Sequence, residues 1–241
     1  MSVENGEWVL HGLRYEDPKC LRSPEAVLDY VNTVGFLPLF GNTVPGFSVE
    51  EHTAAEHWWC EFEDLDPWLW REELARGGKV AYGKFFAGKA GFISLEWLPA
   101  FCNWRRDGYD FDARWDDEKA SIRQKKIMDC FLTQPEYYTF ELKKAAGFGK
   151  GGEKGFEQTV TGLQMQTYLL LRDFRQRRNR AGECYGWPIA VLSTPEQTFG
   201  EELASAAYHE EPEQSKERIY SRLRECFPGT PDEAVRAILG K

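Results

Sequence analysis

Long apolar runs are missing from this sequence. Its uninterrupted hydrophobic stretches are only a few residues, against the roughly 20 that a bilayer-spanning helix requires, so no membrane span is expected. No secretory leader is expected either: MSVENGEW is polar, with neither the basic start nor the apolar block of a signal peptide, and the expected location is the cytoplasm. Paired cysteines are absent. Cys20, Cys60, Cys102, Cys130, Cys184 and Cys226 are scattered singly, with no two at the spacing that lets adjacent thiolates grip one metal ion, and are expected to be reduced and mostly buried. His52, His57 and Cys60 lie close in sequence but want a fourth ligand, so ordinary packing is expected there, with no metal and no cofactor. The glycine-rich stretch FGKGGEKG is not followed by Lys-Ser or Lys-Thr, which excludes a nucleotide-binding P-loop.

What is present is a chain of 241 residues, 42% hydrophobic, enough for one large domain or two small ones, each with its own core. The net charge of −9 disfavours a protein that coats nucleic acid along its whole surface. The distribution matters more than the total. Residues 143–180 carry a net +6 and leave −15 on the rest, as expected of a local anion-binding face on an acidic body.

The first 113 residues read as a Trp-rich α+β region. Ser23-Pro24 starts a helix with Ala26, Val27, Tyr30, Val31 and Val34 on one face; Ser48 and Glu51 form a capping box for a helix through Trp58 and Trp59; Asp66-Pro67 starts another that Gly77 closes. KVAYGKFF and KAGFISL are expected to be two strands across an Ala-Gly turn. Seven of the nine tryptophans lie between Trp58 and Trp115, which points to core and boundary packing ahead of a base-stacking pocket. The aspartates at 107, 110, 112, 116 and 117 suit a helix start better than a calcium loop; as an alternative they predict a closed small-molecule pocket beside them.

Residues 114–200 carry the functional argument. A helix from Asp117 with Ile122, Ile127, Met128, Phe131 and Leu132 on one face is followed by a short helix, TFELKKAAG, and a third, FEQTVTGL, with Phe156, Val160 and Leu163 as its buried stripe. MQTYLLLRDF and CYGWPIAVLS then read as two strands joined by the polar loop RQRRNRAGE. Three helices followed by a hairpin with a basic tip is the winged-helix arrangement. In such a unit the third helix and the hairpin tip approach DNA. Lys150 and Lys154 in the turn, and Arg172, Arg175, Arg177, Arg178 and Arg180 along the hairpin, are the candidate phosphate contacts. Residues 201–241 read as C-terminal packing or capping helices. A non-catalytic module that docks a protein partner, or regulates transcription as a homodimer, is the competing reading.

One triplet bears on chemistry. If Gln164-Met165-Gln166 begins a strand, both amides project to one side and Met165 to the core, so the amides could position a water and stabilise charge as a base departs. At LQMQTYLLLRDF the chain resembles the AlkZ and YcaQ-like DNA glycosylases, tandem winged-helix enzymes that excise alkylated bases and unhook interstrand crosslinks. In them a glutamine, an apolar residue and a glutamine or aspartate stand at a helix-to-strand junction. The blocks VGFLPLF, DPWLWRE, RRDGYDFDARWDD, ELKKAAGFGKGGEKGFE and YGWPIAVLSTPE are similar to the AlkZ-related proteins over most of the chain. The resemblance implies a DNA partner, excision of alkylated bases, and catalytic roles for Gln164 and Gln166.

Overall fold

The computed structural model describes residues 2–4, 6–179 and 181–240. A short hairpin of β1 (Ser2–Glu4) and β2 (Glu7–Val9) precedes helix α1 (Pro24–Val34). The α1 signals act as local chemistry dictates. Ser23 accepts the Ala26 N–H, Pro24 occupies a position whose N–H would have no helical partner, and Val27, Val31 and Val34 face inward. Gly35 ends the helix at φ +99°, where a Cβ would lie 2.7 Å from the Trp97 ring. β3 (Phe36–Pro38) follows directly.

The helix expected from Ser48 through Trp59 does not form. The capping contacts exist, since the Ser48 hydroxyl donates to Glu51 and accepts from the Glu51 N–H, but only two three-residue 3₁₀ turns result, Glu50–His52 and Ala55–His57. Tertiary contacts override the local signal. The buried Glu50 carboxylate takes the His11 and Gly41 N–H groups, and Thr53 and Ala54 bridge to Leu21 and Leu13. Helix α2 (Pro67–Gly77) starts at the Asp66 cap as expected and closes at the left-handed Gly78, one residue beyond Gly77. β4 (Val80–Phe86) and β5 (Lys89–Ser94) pair across Ala87-Gly88, both at positive φ, and the first sheet runs β3-β5-β4, antiparallel throughout.

Helix α3 (Leu98–Arg106) leads to α4 (Phe111–Asp116), whose N-terminus is capped by Asp110; the acidic segment therefore builds a helix start. Glu118 at φ +58° breaks the chain before α5 (Ile122–Met128). That helix begins at a Ser121–Gln124 capping box, later than the expected Asp117, and runs on as a 3₁₀ turn through Leu132. Ile127 and Phe131 are buried as expected, but Ile122 and Leu132 are 53% and 76% exposed. β6 (Glu136–Tyr138) is a strand the residue pattern did not announce. Then come α6 (Thr139–Ala145), α7 (Phe156–Met165), β7 (Leu170–Arg178) and β8 (Cys184–Ser193). The second sheet runs β6-β8-β7, so β6 pairs with the last strand of its unit.

Helices α8 (Pro195–Phe199), α9 (Glu201–Ala204), α10 (Pro212–Cys226) and α11 (Asp232–Leu239) complete an α+β protein. Among the described residues no helix is long and apolar enough to cross a membrane. Two hydrophobic clusters form. One gathers Val27, Phe36, Phe47, Phe86, Phe92 and Phe101 together with Ile219, Leu223, Val235 and Ile238, so the C-terminal helices return to the first half of the chain. The other joins Ile127, Phe131, Tyr137, Leu142, Phe156, Val160, Leu163 and Leu192. Two arginines of α3 bind the parts together. Arg105 donates to the carbonyls of Phe85, Met165 and Leu239, the last two at helix ends, and burial lowers its pKa to about 10. Arg106, 1% exposed, donates to the Thr167 carbonyl at 2.7 Å, to the Tyr208 hydroxyl at 3.1 Å and to Glu196.

Candidate nucleic-acid interface

The cations named from the sequence divide into two groups. Arg172 is turned inward, donating to the carbonyls of Ala75 and Arg76 at the end of α2. Arg175 grips both oxygens of Glu136 and also meets Asp173, so its charge is matched inside the fold; Glu136 first, then Asp173, holds its pKa above the usual arginine range against burial. Asp173 also takes Arg76 at 2.9 Å. Burial alone would raise the Asp173 carboxyl, but hydrogen bonds from Arg175, Arg76 and the Phe174 N–H keep it below 3.8. These two arginines hold β7 against α2 and β6, and neither offers a free guanidinium.

Other cations remain open to solvent. Lys143, Lys144, Lys150 and Lys154 are exposed on α6 and the following turn, and none makes an ion pair with a described residue. Gly147, Gly149, Gly151 and Gly155 hold that turn at positive φ. Its acidic member, Glu153, is clamped by Lys126 and Arg123, which lower its pKa. Arg177 lies over the Phe140 ring, 4.6 Å from the centroid, and Arg178 donates to the Gly182 carbonyl across the hairpin end. Arg180 lies outside the described residues.

Around Arg177 and Arg178 is a cleft of about 330 Å³ that they share with Tyr138, Phe140, Glu141 and Tyr185. The Tyr138 and Phe140 rings stack at 5.5 Å and 30°. Phe140 is 42% exposed, Tyr185 49% and Trp187, on the same strand, 90%. The residue pattern placed CYGWPIAVLS in a strand but gave no reason to single out these rings; their exposure follows from tertiary packing. Pro188, also on β8, borders a second cleft lined by Glu25, Glu63, Asp64, Glu72 and Glu73 together with Arg76. Carboxylates dominate that cleft, whereas Arg177 and Arg178 line the one beside Phe140.

The glutamine triplet does not lie in a strand. Gln164 is in the last turn of α7 and Gln166 is that helix's C-cap, so the two amides diverge; the expectation that both project to one side is corrected by the helix running to Met165. Gln164 is 2% exposed, and its side-chain oxygen accepts the Lys84 N–H at 2.9 Å. The β4–β5 register shifts between Gly83 and Phe86, which frees that N–H from the ladder, and Gln164 satisfies it. Gln166 is half-buried and accepts from the Gln124 amide at 2.9 Å. Thr161 and Met165 lie against Gly88, so this flank of α7 is covered by the first sheet. Spacing separates the parts further: β7, nine residues long, spans about 26 Å from Leu170 to Arg178, and Gln166 lies before its start.

The acidic alternative fares differently. Asp110, Asp112, Asp129, Glu196 and Glu201 border a cleft of about 310 Å³ floored by Phe111, Phe131 and Tyr168, but no group of three metal-binding side chains exists among the described residues. His52 meets the Tyr30 hydroxyl and the Gly46 carbonyl, and His57 packs on Tyr15. The cysteines are all unbridged; only Cys20 and Cys102 are buried, and Cys184 is exposed, because β8 leaves the core towards its hairpin end.

A family model described as AlkZ related matches residues 21–240. The chain belongs to the AlkZ-related family. No curated protein and no solved structure matches it. The match runs from just before α1 to the end of α11, so both hydrophobic clusters and the hairpin are parts of the AlkZ-related unit.

Proposed function

We propose that this AlkZ-related protein binds DNA through a winged-helix module formed by α5, α6, α7 and the β6-β8-β7 sheet. The helix and strand order, and the pairing of β6 with β8, support that assignment. The observation that carries the reading is the arginine–aromatic cleft: Arg177 and Arg178 are presented beside Phe140 and Tyr185, and although Glu141 lines the same cleft, neither guanidinium makes an ion pair with a described residue. Lys143, Lys144, Lys150 and Lys154 extend this positive face, while Arg172 and Arg175 brace the hairpin. The third helix is not free to enter a major groove along its whole length, since Gln164, Thr161 and Met165 pack on the first sheet. The hairpin is the leading contact.

Base excision is the finer part of the proposal and rests on Gln166, the member of the pair that solvent reaches; Gln164 acts through α7 as a positioning residue. The test is retardation of duplex DNA at low salt by the wild type and by the Arg177→Ala/Arg178→Ala variant, with release of base from alkylated duplex measured for wild type and Gln166→Ala. Binding that the arginine variant loses supports the reading. No retardation by the wild type removes it, and base release unchanged in Gln166→Ala removes its catalytic part. The exposed Trp187 also suits a protein-docking module, the reading left standing if DNA is not bound.

A further inference from the structure

Strand β8 contains an irregularity that simple hairpin formation does not require. Arg175 pairs with Ile189, but Arg177 pairs with Tyr185: two steps along β7 correspond to four along β8. The surplus falls on Gly186, Trp187 and Pro188. Each suits its position in a bulge. Gly186 takes φ +71°, which a side chain would disfavour; Pro188 has no N–H to leave without a partner; and the Gln176 amide pins the loop by donating to the Gly186 carbonyl at 3.1 Å. Trp187 stands in this bulge 90% exposed, on the stretch where β8 has already left the core and Tyr185 is exposed too.

A tryptophan so exposed adds little to the fold, because it buries almost no area. Two residues before it on β8, Tyr185 enters the cleft that Tyr138, Phe140, Glu141, Arg177 and Arg178 also line, so the open ring follows directly on an arginine–aromatic surface. An intact duplex presents phosphates, sugars and base edges; the faces of its bases are already stacked on one another. Rings of this kind find partners only where bases are unstacked, with arginines available for the backbone. The cleft's volume, about 330 Å³, falls within the ordinary range of about 300–1,000 Å³ for small-ligand sites, which suits one unstacked nucleotide.

We propose that the β8 bulge presents Trp187, with Tyr185 and Phe140, as a stacking platform for unpaired bases, so that the protein prefers single-stranded DNA to intact duplex. The proposal rests on the DNA-binding reading above and specifies its substrate. Two observations support it: the Trp187 ring stands open to solvent in the bulge, and Arg177 lies over Phe140 in the cleft that Tyr185 enters, pairing a cation with an aromatic face there.

The experiment is fluorescence anisotropy with a labelled oligothymidine single strand and a labelled blunt duplex of equal length, using the full chain, Trp187→Ala and Trp187→Phe. The expected result is tighter binding of the single strand by the wild type. Trp187→Ala should lose roughly 5- to 150-fold on the single strand, the range spanned by one base–aromatic stack, and little on the duplex, with Trp187→Phe restoring most of the loss. Equal affinity for both probes, or an unchanged single-strand affinity in Trp187→Ala, overturns the proposal and leaves duplex binding intact. Failure of the wild type to bind either probe overturns both this proposal and the DNA-binding reading. Since Trp187 is solvent-exposed, the substitution leaves the core untouched; unchanged thermal stability confirms this.

Discussion

Replacing Gln164 by methionine separates a structural from a catalytic role for the glutamine pair. Methionine keeps the length and nearly the volume of the side chain but removes the oxygen that accepts the Lys84 N–H at 2.9 Å. That N–H has no ladder partner at the register shift of β4, and Gln164 is 2% exposed, so water has little access to replace the bond. A buried donor left without an acceptor costs about 1–3 kcal/mol. In a chain of this size each kcal/mol lowers the melting temperature by about 2–4 °C, so a fall of roughly 2–12 °C is expected. Gln166→Met is the control. Among the described residues its half-buried amide meets the Gln124 side chain alone, and a change at such a site stays within about 0.5 kcal/mol, or roughly 2 °C. Differential scanning calorimetry on both variants decides the matter. Equal melting temperatures for wild type and Gln164→Met would refute the assignment of Gln164 to the β4 bulge, as would a larger loss in Gln166→Met.

Further predictions follow from the buried charges. Arg105→Met removes the donor for the Phe85, Met165 and Leu239 carbonyls and should destabilise the fold by about 2–4 kcal/mol; a midpoint of urea unfolding equal to wild type would contradict this clamp. Asp173 has a folded-state pKa below 3.8, so its contribution is fully present above that value and is lost as pH falls through the lowered one; the melting temperatures of wild type and Asp173→Asn should differ near neutral pH and converge in acid. Arg175→Ala should lower stability through Glu136 and Asp173 and leave the DNA salt slope unchanged, whereas Arg177→Ala should do the reverse; the same pattern for both would dissolve the division between bracing and contacting arginines.

The helices were largely legible because their determinants are local. Ser23-Pro24, Asp66-Pro67 and the Phe156–Val160–Leu163 stripe act within a few residues, and each produced the element it signalled. Ser48 and Glu51 misled because Glu50, between them, is held by residues 39 and 9 positions away, which no capping rule registers. Strand β6 is three residues long and exists through pairing with β8, more than 50 residues on. The candidate site was legible only as charge. Which arginines face inward depends on Glu136 and the end of α2, and alternation around Gln164 suggested a strand where the helix runs two residues further, to Met165. The bulge around Trp187 shows in the sequence as Gly-Trp-Pro, but its meaning depends on the register of the opposite strand.

The central claim is that a set of free cations on the hairpin and α6 holds DNA, and the salt dependence of duplex affinity tests it most directly. If about 4 phosphates are neutralised, the slope of log affinity against log salt is about −3.6, a loss on the order of 10²-fold between about 50 and 200 mM salt. The Arg177→Ala/Arg178→Ala variant should show a slope shallower by about 1.8. A wild-type slope near zero, or an unchanged slope in the double variant, would contradict the account.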